Sequence, residues 1–239
     1  KSQGQNGRTA QVKSELIYLD NAATSFPKPE AVCAAADDCL RHNAGSYGRG
    51  NNDFTLNTES VFFATRQKLA RMFGVSDAHR ITFTYNCTDS INIALRGVLR
   101  YGDHVISSVL EHNSVLRPLF YLKEKLALRI TLLCPDANGR ISPDTVRKHL
   151  TEKTKAVVLT AMSNIQGIAQ PITAIGQMLA ERRNTLFVVD GAQAAGHTEI
   201  SCSMDNVDIL CLSPHKGLLS PTGLGILYAS PKAELSPCR

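Results

Sequence analysis

Lys216 stands in Ser213-Pro214-His215-Lys216-Gly217, directly after the apolar run Val207-Asp208-Ile209-Leu210-Cys211-Leu212. A second apolar run, upstream, ends in an acid: Leu186-Phe187-Val188-Val189-Asp190-Gly191-Ala192-Gln193. A lysine amine forms a Schiff base with an aldehyde. A carboxylate that pairs with a pyridine nitrogen keeps it protonated, so that the ring acts as an electron sink. An acid at one strand end and a lysine at the next is therefore a way to hold pyridoxal phosphate. Singly, Asp190 is an ordinary turn acid, Lys216 a solvated lysine and His215 a surface imidazole; it is their order along the chain that suggests chemistry.

Positioning these groups requires a scaffold, and the pattern of the chain supplies one. Strands are expected near 80–85, 104–109, 129–134, 156–163, 185–190, 207–213 and 223–229, mostly unbroken apolar runs rich in β-branched residues, as in strands buried on both faces. Amphipathic helical segments lie between them, near 88–100, 114–127, 142–151 and 172–183, and two more, 29–42 and 55–73, precede the sheet. Alternating strand and helix predicts an α/β domain with a mostly parallel sheet of seven strands. In such sheets ligands sit beyond the carboxyl ends of the strands. The polar groups there are Asn86-Cys87-Thr88-Asp89, Glu111-His112-Asn113, Ser163-Asn164, Asp190-Gly191-Ala192-Gln193 and Ser213-Pro214-His215-Lys216.

Thr88 opens a helix, where a hydroxyl and unpaired backbone N–H groups make a phosphate site; read singly it is an N-cap, and Asp89 beside it slightly opposes an anion. Ser213 and His215 are candidates for the same phosphate, Asn164 and Gln193 for a ring hydroxyl. His112 is a candidate to lie flat on the ring and move protons. Gly223 and Gly225 form a lone GxG without the third glycine of a dinucleotide fingerprint, and read as close packing at a strand start.

With 239 residues, 43% of them hydrophobic, the chain is long enough for one large domain with a proper core. Charged residues make up 20% and no apolar run approaches membrane-spanning length, so a soluble, cytoplasmic protein is expected. The net charge is +5, but Lys1, Arg8 and Lys13 precede the first acid, Glu15, so no nucleic-acid partner is inferred. Residues 1–15 read as a disordered polar tail and 16–239 as the domain. The seven cysteines, at 33, 39, 87, 134, 202, 211 and 238, include no CxxC pair and read as reduced thiols, with no metal site.

The motifs together resemble the cysteine desulfurase-like branch of the class V aminotransferases, pyridoxal phosphate enzymes of fold type I. The matching pieces are Tyr18-Leu19-Asp20-Asn21-Ala22-Ala23-Thr24, Gly48-Arg49-Gly50, Asn86-Cys87-Thr88-Asp89-Ser90-Ile91-Asn92, Gly102-Asp103-His104-Val105-Ile106, Glu111-His112-Asn113, Ser163-Asn164, Val189-Asp190-Gly191-Ala192-Gln193, His215-Lys216-Gly217 and Pro221-Thr222-Gly223, in the family's order. The resemblance implies the large, cofactor-binding domain of that fold. Lys216 would carry the Schiff base and Asp190 the ring nitrogen; Gln193 and Asn164 would contact the ring hydroxyl, and His112 would stack. Thr88, Ser213 and His215 would hold the phosphate with Cys87 nearby, and Asn21, Ala22 and Ala23 would sit at the substrate entrance.

The implied activity is desulfuration of L-cysteine to alanine, with the sulfur passing to an enzyme cysteine as a persulfide, in a homodimer that hands sulfur to an acceptor protein. Other class V enzymes, such as a selenocysteine lyase or an epimerase-like relative, and a cofactor-binding domain without turnover remain alternatives. The sequence also departs from the family. Cys87 replaces a threonine hydroxyl, and Pro214 removes a backbone N–H. The smaller C-terminal domain, with its substrate-binding arginine and sulfur-accepting cysteine, is not recognised; Cys238 lacks that cysteine's context, and Cys33, Cys39, Cys134, Cys202 and Cys211 are expected to be buried. A large domain by itself should expose apolar surface and self-associate. A clean monomer by light scattering at high concentration would count against this.

Overall fold

The computed structural model describes residues 17–43 and 45–236. The expected tail and Cys238 lie outside the described residues. The elements run α1 (Glu30–His42), α2 (Asp53–Met72), β1 (Ile81–Thr84), α3 (Cys87–Val98), β2 (His104–Ser108), α4 (Asn113–Leu126), β3 (Arg129–Leu133), α5 (Pro143–His149), β4 (Thr154–Thr160), α6 (Ile172–Leu179), β5 (Leu186–Asp190), β6 (Ile209–Leu212) and β7 (Gly225–Ala229). Each helix and strand expected from the sequence is present. The differences lie at the ends: β4 starts at Thr154, before its apolar run, and α6 stops at Leu179, ahead of the polar stretch through Arg183.

One seven-stranded sheet has the order β1-β7-β6-β5-β4-β2-β3. β7 pairs antiparallel with both β1 and β6, and the other pairings are parallel. The α/β, mostly parallel reading is therefore correct. β5 is the central strand, and all five of its residues are buried. Because side chains alternate along a strand, β5 feeds two separate cores. Phe187 and Val189 pack with α5, α6 and the end of α2. Leu186 and Val188 pack on the other face with Ile91, Ala94, Leu95, Val115 and Leu119 of α3 and α4. Asp190, two residues beyond Val188, belongs to the α3–α4 face.

The cysteines do not behave alike. Cys87, Cys202 and Cys211 are buried as expected, whereas Cys33 and Cys134 are exposed and Cys39 is only partly covered. Cys33 and Cys39 ride on α1, which buries none of its residues, and Cys134 follows β3 at the sheet's edge. Apolar surface also stays open on α1 and α2, at Leu40, Phe54, Leu56, Val61 and Phe63. Among the described residues no helix is long and apolar enough to cross a membrane.

Phe187 is fully buried within the central strand. Phe187→Ala should cost about 3–5 kcal/mol through lost transfer energy and an unfilled cavity, read as a lower urea midpoint with an unchanged slope.

Candidate active site

The carboxyl ends of β1, β2, β4, β5 and β6 open onto one cavity of about 190 Å³. Its lining includes Cys87 and Thr88 after β1, His112 after β2, Asn164 after β4, Asp190 and Gln193 at β5, and Ser213, His215 and Lys216 after β6. All nine residues singled out for a cofactor are thus brought together. Ala23 joins them, whereas Asn21 and Ala22 are not part of the lining. The Ala22 carbonyl accepts from Gln193 Nε2 at 3.0 Å, and Asn21 Oδ1 accepts from the Phe26 N–H. Asn86, Ser114, Thr160, Met162 and Ala192 also line the cavity; of these only Asn86 and Ala192 fall within the polar groups noted at the strand ends. Thr160 could have been placed by counting to the end of β4, but nothing in the local pattern marks Met162 or Ser114.

Asp190 is 3% exposed. Its Oδ1 accepts from the Ala192 N–H at 2.9 Å and from the Cys87 thiol at 3.5 Å, and neither bond uses Oδ2. Burial raises its pKa above the ordinary carboxylate range, opposed by these two donors and by the charge of Lys216. The Cys87 thiol is pushed well above its ordinary value, first by burial and then by the Asp190 charge, so it stays protonated as a donor. This side chain therefore faces the acid, and α3 begins one residue earlier than expected.

The helix start corrects the reading of Thr88 as a cap. The N-cap is Asn86, whose Oδ1 accepts from the Asp89 N–H at 2.8 Å. Asp89 reaches back past the cap to the Tyr85 N–H at 3.2 Å, spending its carboxylate on the backbone. The extended conformation of Asn86 starts the helix at Cys87, so Thr88 is already inside it. Among the described residues, no hydrogen bond engages the N–H groups of Cys87 and Thr88. Gly225 allows this corner to close, because a Cβ there would lie 2.3 Å from the Asn86 carbonyl carbon. Its companion Gly223 meets nothing within 4 Å and instead has a φ of +92°. Half of the GxG is thus packing and half is backbone conformation.

His112 caps α4: its Nδ1 accepts the Ser114 N–H at 3.1 Å, so the imidazole carries its proton on Nε2. His215 is anchored through Nδ1 to Thr24 Oγ1 at 2.9 Å, and its carbonyl accepts from the Lys28 ammonium at 2.7 Å. Burial and then the charges of Lys216 and Lys28 lower its pKa, so it is neutral at pH 7. Among the described residues no hydrogen bond or ion pair engages Lys216 Nζ. Its loop is pressed onto the segment after β5: a Cβ on Gly217 would lie 2.1 Å from the Ala195 carbonyl oxygen, and one on Gly196 would lie 2.3 Å from that of Gly217. Only glycine at both positions permits this backbone contact, which sets the amine beside Asp190.

The family model for aminotransferase class-V matches residues 17–238. The chain belongs to that family. Among curated class V relatives, a probable cysteine desulfurase of Halalkalibacterium halodurans is 35% identical over 226 residues, 93% of this chain and 55% of that protein. The cysteine desulfurase IscS of Acinetobacter baumannii is 34% identical, over 92% of this chain and 55% of the relative. The apo structure of the cysteine desulfurase from Thermococcus onnurineus NA1 superposes with a TM-score of 0.85 at 30% identity, covering 92% of this chain and 56% of that one. SspA in complex with cysteine gives 0.84 at 28% identity, with 93% and 64% covered. The chain spans about half the length of the curated class V relatives it matches.

The raised pKa of Asp190 has a sign. The folded state binds this proton more tightly than the unfolded chain, so stability falls as pH rises from the ordinary aspartate value through the raised one, and the cost then persists. Asp190→Asn should therefore make the isolated chain more stable than the native sequence at pH 7. The gap should close in urea titrations below about pH 4.

Proposed function

We propose that the cavity binds pyridoxal 5'-phosphate and that this chain is the cofactor-holding part of a cysteine desulfurase-like enzyme acting on L-cysteine. The observation that supports this best is the convergence of the Lys216 amine, the buried Asp190 carboxylate, the His112 imidazole and the start of α3 on one cavity. The donor set fits the group. Lys216 Nζ has no competing partner among the described residues. Asp190 has Oδ2 left over for a ring nitrogen. The first-turn N–H groups of α3, with Thr88, Ser213 and neutral His215, suit a phosphate.

When bound, the cofactor supplies an electron sink for negative charge at the substrate Cα. The chain's own residues do the rest. Lys216 holds the aldehyde and, when an amino acid takes its place, is the amine positioned to take the Cα proton. Asp190 orients the ring and keeps its nitrogen protonated. His112, with its proton on Nε2 and Nδ1 held by the helix cap, presents a donor at the ring face. Asn164 and Gln193 meet the ring hydroxyl, the latter steadied by Ala22, and Asn21, Ala22 and Ala23 border the substrate entrance.

Cys87 is the one cysteine among the described residues that lines the cavity, and its protonated thiol is committed to Asp190. It is therefore no sulfur acceptor. In this reading the accepting cysteine and the arginine for the substrate carboxylate come from the part of the relatives that this chain does not span. Homodimerisation, sulfur transfer to an acceptor protein and a cytoplasmic setting belong to the same proposal.

Adding pyridoxal phosphate should produce a visible absorption band, and borohydride should fix the cofactor to the peptide containing Lys216. Lys216→Ala should lose that attachment entirely; a retained, borohydride-fixed cofactor in this variant would rule Lys216 out. Asp190→Asn should weaken cofactor binding at least about tenfold, the loss expected when a buried charge pair is broken. In a chain that spans the whole length of the relatives, stoichiometric alanine from L-cysteine, with sulfide released from the persulfide by an added thiol reductant, would support the desulfurase, and the absence of alanine with the cofactor attached would favour another class V activity.

A further inference from the structure

Glu111 is the only buried glutamate among the described residues, 6% exposed, and the proposed chemistry gives it no task. It follows β2 and immediately precedes His112. Its Oε1 accepts from Ser108 Oγ at 2.5 Å, while Oε2 is shielded from solvent and has no hydrogen-bond partner. A carboxylate has no proton of its own to offer and depends on donors at both oxygens, so an ionised group with one orphaned oxygen is poorly solvated. A second buried acid, Asp190, ends β5, where it pairs with Thr160 and lines the cavity that Glu111 itself does not line, and has two donors on Oδ1. Two buried carboxyls that sense each other do not ionise together; the better-solvated one takes the charge.

We propose that Glu111 is held as a neutral carboxylic acid, the proton-bearing member of a buried pair with Asp190, so that the negative charge of the pair is reserved for the strand end that faces the cavity. The groups around it agree. Burial is the largest influence favouring the protonated form and the Asp190 charge adds to it, against the bond from Ser108 and the smaller pull of the nearby Thr160 backbone N–H. The positive influence of Lys216 acts on Asp190. The consequence for a ring nitrogen rests on the cofactor reading above, whereas the protonation state does not.

Infrared spectra of the cofactor-free chain at pH 7 test this directly. A carboxylic-acid carbonyl band should be present, should shift on labelling with carbon-13 glutamate, should vanish in Glu111→Gln and should persist in Asp190→Asn. No such band, or a band that ignores the glutamate label, overturns the proposal. If Glu111→Gln fails to fold, the label on the native sequence decides, because no other described glutamate is buried. A second readout is the folding equilibrium constant against pH. Between the ordinary glutamate value and the raised one, it should fall up to about tenfold more per pH unit in the native sequence than in Glu111→Gln, one proton being the difference. Parallel curves would count against a neutral Glu111. Both readouts use the chain without cofactor, so their outcome is independent of whether pyridoxal phosphate binds.

Discussion

Burying a carboxylate at the end of the central strand is the constraint around which the other parts of this molecule are arranged. Asp190 is closed off from water, and an isolated charge there would be expensive. The surroundings offset that cost with a backbone N–H from Ala192, a protonated thiol from Cys87 and the positive potential of Lys216, and the His112 imidazole lines the same cavity. Each of these donors comes from a different strand end. The acid therefore acts as a registration point: the loops after β1, β2 and β6 must arrive at the right place for its charge to be tolerated.

The scaffold delivers them through strand parity and backbone contact. Leu186 and Val188 set the α3–α4 face of β5, and Asp190 inherits it, opposite Cys211 on β6. Gly196 and Gly217 then let two loops touch backbone to backbone, which holds Lys216 close to the acid without using its amine. The N-terminal segment closes the rim, with Thr24, Ser25 and Lys28 all bonded to His215. Residues far apart in sequence thus fix one histidine, three of them through its carbonyl and Thr24 also through its imidazole.

Capping plays a parallel part at the two helix starts that face the cavity. At α3 the Asn86 side chain satisfies the Asp89 N–H and the Asp89 carboxylate satisfies the Tyr85 N–H, so Thr88 is not needed as a cap. At α4 the histidine itself is the cap, and this fixes which of its nitrogens carries the proton. Local helix chemistry therefore sets the protonation and orientation of groups that a ligand would meet.

The sequence by itself determined the elements and the set of candidates. Apolar runs rich in β-branched residues and bounded by turns mark the strands, although β1 and β3 prove only partly covered, and the polar residues that follow the runs mark the ligand edge, so Lys216, Asp190, His112, Thr88 and Asn164 were legible before any coordinate. Tertiary structure decided the rest, because the deciding quantities are distances between segments. It made Asn86 the cap, turned the Cys87 thiol to Asp190, left Cys33 and Cys134 exposed, brought Met162 and Ser114 into the lining and stranded one oxygen of Glu111. Periodicity records which face of a strand or helix is apolar. It does not record which donor from a distant loop will reach a buried charge, and at this site that is what sets each group's protonation.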